Sequence, residues 1–150
     1  GFLVWNWAPA KVFMGDVGSG FLGFAFAVLA VASENSGGLP LLTWVLLLGV
    51  FVVDATATLV RRKRRGERCT EAHRTHAYQL AVQAGYAHEQ VVIRVIVINI
   101  VLGVAAAGAC FWPRALLAIV AGCVLILFAL WRRVVGHHER HAQLHDASSR

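Results

Sequence analysis

Four long apolar runs constrain this chain more than any other feature: Val17 to Ser33, Leu39 to Val60, Val95 to Pro113 and Ala115 to Trp131. Each is about 17 to 22 residues long, near the roughly 20 that an α-helix needs to cross the hydrocarbon core of a bilayer. Inside lipid only helices and closed barrels satisfy every backbone N–H and C=O, and these runs lack the strict alternation of barrel strands. The pattern therefore predicts an all-α fold, a polytopic transmembrane helical bundle of about four spans joined by polar loops. Composition agrees, since 58% apolar residues and a mean hydropathy of +0.63 leave too little polar surface for a soluble domain.

The charges are clustered. Of 14 Lys and Arg residues, five form the single run Arg61 to Arg65, and the formal net charge is +6. A nucleic-acid-binding domain spreads its cations over a folded polar surface; here they are wedged between hydrophobic runs, which points to membrane topology and excludes nucleic acid as a partner. Cytoplasmic loops hold an excess of Lys and Arg, so the segment 61–90 and the tail 132–150 are expected in the cytoplasm. The short, nearly uncharged turns Ser33 to Pro40 and Phe111 to Ala115 then face outward. Counting one more crossing backward puts the opening loop, residues 5–16, on the cytoplasmic face as well. Cys110 and Cys123 lie in apolar runs and Cys69 in the basic loop, so no disulfide framework is expected. The chain opens on GFLVW with neither Met nor a charged n-region, which reads as a piece of a longer protein rather than as a signal peptide.

The stretch KVFMGDVGSGFLGF, Lys11 to Phe24, concentrates potential chemistry. Glycines at 15, 18, 20 and 23 let backbone approach a ligand, and Ser19 is placed to cap the helix that follows. A helix N-terminus, with free N–H groups and a positive dipole end, favours anions. A carboxylate beside bound phosphate is unfavourable unless a cation lies between, and a hard oxygen ligand next to phosphate is how Mg²⁺ is usually held. Asp16 is then a metal ligand or an acid/base. The plainer alternative is a first-turn helix residue facing water; GDVGSG lacks the Lys of a P-loop.

A second constellation is EAHRTHAYQ, Glu71 to Gln79, where His73 and His76, three apart, share a helix face beside Arg74 and the basic run. Two imidazoles and a guanidinium suit a diphosphate. Cys69, His73, His76 and His88 also supply four zinc donors, at a spacing that matches no strong zinc pattern, and a solvated amphipathic loop is the third reading. Asp54 interrupts its apolar run about six residues from the cytoplasmic end, roughly 9 Å in at ~1.5 Å per residue. An intramembrane carboxylate is a functional suspect by default; its structural alternative is a helix contact with Thr56, Thr58 or Arg61. Arg94 begins a helix and can snorkel to the interface, and His137, His141 and His145 fit a solvated C-terminal helix.

Taken together, NWAPAKVFMGDVGS and, one hairpin later, DATATLVRR with AHRTHAYQ resemble the polyprenyl-phosphate N-acetylhexosamine-1-phosphate transferases, also called glycosyltransferase family 4. The likeness covers nearly the whole chain. The H-R-x-H form followed by Y-Q resembles the branch that starts O-antigen and related lipopolysaccharide or surface polysaccharides; the muramoyl-pentapeptide branch carries adjacent histidines, absent from His73 to His76.

That resemblance implies an enzyme of the bacterial inner, cytoplasmic membrane. It would transfer N-acetylhexosamine-1-phosphate from a UDP-N-acetylhexosamine to undecaprenyl (polyprenyl) phosphate with Mg²⁺, or Mn²⁺ in its place, releasing UMP. It further implies that Asp16 is the metal-binding aspartate and that Asn6 and Phe13 contact the uracil end of the nucleotide. His73, Arg74 and His76 would surround the diphosphate, with Asp16, His73 and His76 as the catalytic set. Asp54 matches an acidic position without a defined role. Arg61 and Arg62 are candidates to draw in the anionic lipid headgroup, at about 1 kcal/mol each, or only to fix orientation. A second copy of the chain is a candidate partner. The family also uses an adjacent Asp pair, and this chain has none, so the missing pair is expected upstream and the 150 residues alone are expected to be inactive. Two other classes compete: a membrane scaffold with vestigial motifs, and a metal transporter using Asp16, Asp54 and the histidines. Transporter ligands converge near mid-membrane, whereas these gather at one face.

Overall fold

The computed structural model describes residues 1–7, 11–12, 14–67 and 76–148, with the side chains of Asp16 and of residues 141–148 outside the description. Every regular element among the described residues is helical. A short α1 (Phe2–Asn6) precedes α2 (Gly15–Asn35), α3 (Leu41–Leu47), α4 (Gly49–Arg64), α5 (Ala77–Gln83) and α6 (His88–Phe111). A 3₁₀ turn (Pro113–Ala115) then leads into α7 (Leu116–Ser148). Three helical stretches, Val17–Asn35, His88–Phe111 and Pro113–Arg140, are long and apolar enough to cross a membrane, and α3 with α4 supplies a fourth if the bent pair is one span. The molecule is an all-α polytopic helical bundle.

Three features differ from the simple pattern of four spans. The second run is broken: α3 and α4 meet at Leu48 with a bend of 79°. Glycine is among the weakest helix formers, and Gly49 follows the break directly. Its missing side chain also has a packing use, because a Cβ there would lie 3.2 Å from Leu127 Cδ1 and 3.3 Å from Leu102 Cδ1. The last helix does not stop where its apolar run ends; α7 carries on through the basic tail, whose Arg, Glu, Ala, Gln and Leu residues are good helix formers and include no proline. Finally, α2 begins at Gly15 rather than at Ser19, so Asp16 falls in its first turn. Gly15 makes this early start feasible by taking φ +65°, a left-handed conformation that costs glycine little.

The turn between α2 and α3 is closed by side chains. Ser33 Oγ accepts the Leu39 N–H at 2.8 Å, and the Glu34 carboxylate accepts the Leu41 N–H, satisfying a donor that a helix start leaves open. The core is small and lies between α3, α4, α6 and α7: Leu46, Val53, Leu102, Ala106, Val120 and Leu127. Most other large apolar side chains, among them Val17, Phe21, Phe51, Ile100, Val104 and Leu125, are exposed. A soluble chain would not tolerate such a surface, but lipid costs it nothing.

Three contacts fix how α4 lies against α7. Gly49 faces Leu127, Asp54 bonds Trp131, and Arg61 bonds Glu139. Both residue numbers rise together along the series, so the two helices run parallel. The chain reaches the end of α4 and the end of α7 at the same end of the bundle.

Candidate functional site at the basic end of the bundle

The best-defined polar cluster is built around Asp54, nearly three turns before the end of α4. Its Oδ1 accepts three hydrogen bonds: from the Ala77 N–H at the start of α5 at 2.8 Å, from Trp131 Nε1 on α7 at 3.2 Å, and from the Thr58 hydroxyl at 3.4 Å. Its Oδ2 lies 3.2 Å from His76 Nδ1. One carboxylate thus joins α4, α5 and α7. A half-buried acceptor with this many donors is stabilised where an unpaired carboxylate would be expensive.

His76 is set by the backbone as well. It is the N-cap of α5 in extended conformation, and its own N–H is accepted by Gln79 Oε1 at 3.3 Å. The imidazole stacks on Tyr78 with centroids 5.9 Å apart. Burial, and after it the Asp54 carboxylate, push the Tyr78 phenol above its ordinary pKa, so it is a neutral hydroxyl at physiological pH. α5 in turn packs on α7 and α6.

The basic run lies about two to three turns further along. Arg61 Nη2 and Arg65 Nη2 converge on Glu139 Oε1 at 2.7 and 2.6 Å. The Arg62 side chain is buried and its Nε donates to Glu67 Oε2 at 3.0 Å. The two arginines that the sequence offers to a lipid headgroup therefore each hold a carboxylate of this chain, while Lys63 and Arg64 stand exposed. The partly exposed pairs to Glu139 are worth about 0–1 kcal/mol each and tie α7 to α4, whereas Arg62–Glu67 closes the end of α4 itself.

The opening segment is shaped locally. Asn6 Nδ2 donates to the Val12 carbonyl at 2.8 Å, and the Lys11 N–H donates to the Trp5 carbonyl at 2.9 Å, so Asn6 closes the loop ahead of α2. That helix packs principally on α3; no described contact joins it to the Asp54–His76 cluster. Phe13, His73, Arg74 and Cys69 lie outside the described residues, as does the Asp16 side chain. Among the described residues no group of three or more His, Cys, Asp or Glu is arranged to hold a metal ion.

Of the sequence-derived candidates, the structure brings together Asp54 and His76, with Arg61 and Arg62 about two turns further along α4. Two participants escape sequence reasoning. Trp131 reads as an ordinary interfacial aromatic at the end of an apolar run, and Glu139 as one acid in a histidine-rich tail; only the parallel register of α4 and α7 pairs them with Asp54 and Arg61. Thr58, by contrast, was accessible as a partner of Asp54 from its spacing of four residues along one helix.

A helical bundle with a lipid-facing apolar surface and a basic, His- and Asp-bearing end defines a multi-pass membrane protein with a polar site at one face. Comparison with known proteins makes this specific. Residues 1–34 match the model for glycosyl transferase family 4. A probable undecaprenyl-phosphate N-acetylglucosaminyl 1-phosphate transferase from Bacillus subtilis is 28% identical over 108 residues, which is 71% of this chain and 30% of that protein. A decaprenyl-phosphate N-acetylglucosaminephosphotransferase from Mycobacterium tuberculosis is 30% identical over 143 residues, 84% of this chain and 35% of the relative. A phospho-N-acetylmuramoyl-pentapeptide-transferase from Corynebacterium efficiens is 32% identical over 134 residues, 87% of this chain and 30% of the relative. No solved structure matches the chain. The chain belongs to the polyprenyl-phosphate sugar-phosphate transferases of glycosyl transferase family 4, and it spans about a third of the length of these curated relatives.

Proposed function

We propose that the complete protein carrying this chain transfers N-acetylhexosamine-1-phosphate from a UDP-sugar to polyprenyl phosphate, releasing UMP, at the cytoplasmic face of a bacterial inner membrane. The observation that carries the reading is the meeting of Asp54, His76 and the Arg61–Arg65 run at one end of a lipid-facing bundle, in a chain whose relatives are named for this kind of transfer. The H-R-x-H motif at His73 to His76 supports an N-acetylhexosamine donor and the start of an O-antigen or another envelope polysaccharide.

Phosphoryl transfer asks a protein mainly for positioning and for neutralisation of spread negative charge. His76, with His73 and Arg74 next to it in sequence, supplies donors for the diphosphate. Asn6 and Phe13 lie on the segment assigned to the nucleotide. Asp16, in the first turn of α2, is the residue that would hold Mg²⁺ or Mn²⁺. Its carboxylate, with the Asp pair expected upstream, would supply the hard oxygen donors such a cation takes, and the ion when bound would offset negative charge on the diphosphate. An oxygen of the lipid phosphate attacks the β-phosphorus in line, the bond from that phosphorus to the bridging oxygen breaks, and UMP departs with the electron pair.

Asp16→Asn in the complete protein tests this assignment. Turnover falls by orders of magnitude while expression and membrane insertion are retained; wild-type UMP release by that variant would remove Asp16 from the site.

A further inference from the structure

We infer that Asp54 is a positioning residue for the transfer reaction, acting through His76; the inference rests on the transferase reading above. The two oxygens of the carboxylate have separate tasks. Oδ1 collects the Ala77 N–H, the Trp131 indole and the Thr58 hydroxyl, which is enough to tie α4 to α5 and α7. Oδ2 faces His76 Nδ1 at 3.2 Å. A carboxylate against one ring nitrogen holds the proton on that nitrogen and fixes the ring plane, as carboxylates behind working histidines do. Any dealing of the imidazole with a substrate phosphate then passes through Nε2, as acceptor in the neutral ring and as donor in the protonated one. The same Asp54 also bonds the first N–H of α5, so the backbone that carries His76 and its side chain are aimed by one group. This gives the intramembrane acid a task that helix packing alone does not need.

The isosteric amide separates the two tasks. In Asp54→Asn the carbonyl oxygen still serves the three Oδ1 donors, but an NH₂ group replaces Oδ2. It donates to His76 Nδ1, which must give up its proton, and the ring is pushed into the other tautomer. Trp131→Phe does the reverse, removing one Oδ1 bond and leaving the Oδ2–His76 contact.

The experiment measures UMP release by the complete protein at saturating UDP-N-acetylhexosamine and polyprenyl phosphate, for wild type, Asp54→Asn, His76→Ala, the double variant and Trp131→Phe. The inference predicts that Asp54→Asn lowers kcat roughly 10- to 100-fold, the usual cost of losing a group behind a working histidine, with little change in donor KM. It predicts no further loss when Asp54→Asn is added to His76→Ala, and a loss in Trp131→Phe well below that in Asp54→Asn. Wild-type kcat in Asp54→Asn, an undiminished extra loss in the double variant, or a loss in Trp131→Phe as large as in Asp54→Asn would each overturn it. The underlying reading fails in a different way, through absence of UMP release from the wild-type protein.

Discussion

Arg61 on α4 donates to Glu139 on α7 at 2.7 Å, and this pair stands in the same register as Asp54 with Trp131 and Gly49 with Leu127. Two helices separated in sequence by a loop and by α6 therefore run side by side in the same direction. That geometry is what brings the basic loop and the C-terminal helix to one end of the bundle.

The register predicts which cysteine pairs will cross-link. With the native cysteines replaced by serine, Arg61→Cys with Glu139→Cys is bridged by a bifunctional maleimide whose spacer replaces the two long side chains that meet there, the gap being too wide for a direct disulfide. Arg61→Cys with Ile119→Cys, which an antiparallel pairing would bring together, is not. Mobility shift on denaturing gels reads the result.

Gly49 predicts a size limit at the bend between α3 and α4. Gly49→Ala needs only a small shift of two leucine methyl groups, at 3.2 and 3.3 Å from the new Cβ, and alanine's better helix propensity offsets the strain. Gly49→Leu overfills the site and lowers stability by about 1–3 kcal/mol. Thermal unfolding in detergent compares the two.

Sidedness follows from the parallel helices together with the excess of cations in cytoplasmic loops. Single cysteines at Arg64 and at Arg140, both exposed, react with a membrane-impermeant maleimide from the same side of the membrane. A cysteine at Asn35, at the far end of α2, reacts from the opposite side. Labelling of intact cells and of inverted vesicles distinguishes the two faces.

Much of this arrangement was legible in the sequence, and the remainder was hidden for physical reasons. Run length and the absence of strand alternation were enough for an all-α bundle, because lipid leaves the backbone so few options. Asp54 was conspicuous because a carboxylate in an apolar run demands partners. Which partners it finds depends on tertiary register, and no local pattern encodes that Trp131 and His76 meet one carboxylate from two other helices. The bend at Leu48 was equally hidden, since the run is apolar on either side of it; the helical tail was foreseen from the spacing of His137, His141 and His145, and only its continuity with the last span was not. At the opening motif, Ser19 looked like the natural cap, yet Gly15 lets the chain turn into α2 one turn earlier.

Divalent-cation dependence is a further consequence of placing Asp16 beside a diphosphate. Excess EDTA abolishes UMP release by the complete protein, and added Mg²⁺ or Mn²⁺ restores it. A chain whose Asp16 only solvates a helix start is indifferent to the chelator.

The most direct measurement is UMP release by the purified complete protein across a panel of UDP-sugars, with and without polyprenyl phosphate. The account predicts release with at least one UDP-N-acetylhexosamine, strictly dependent on the lipid phosphate and matched by a lipid-linked sugar diphosphate. Absence of release with every donor, or release that does not need the lipid acceptor, would contradict it.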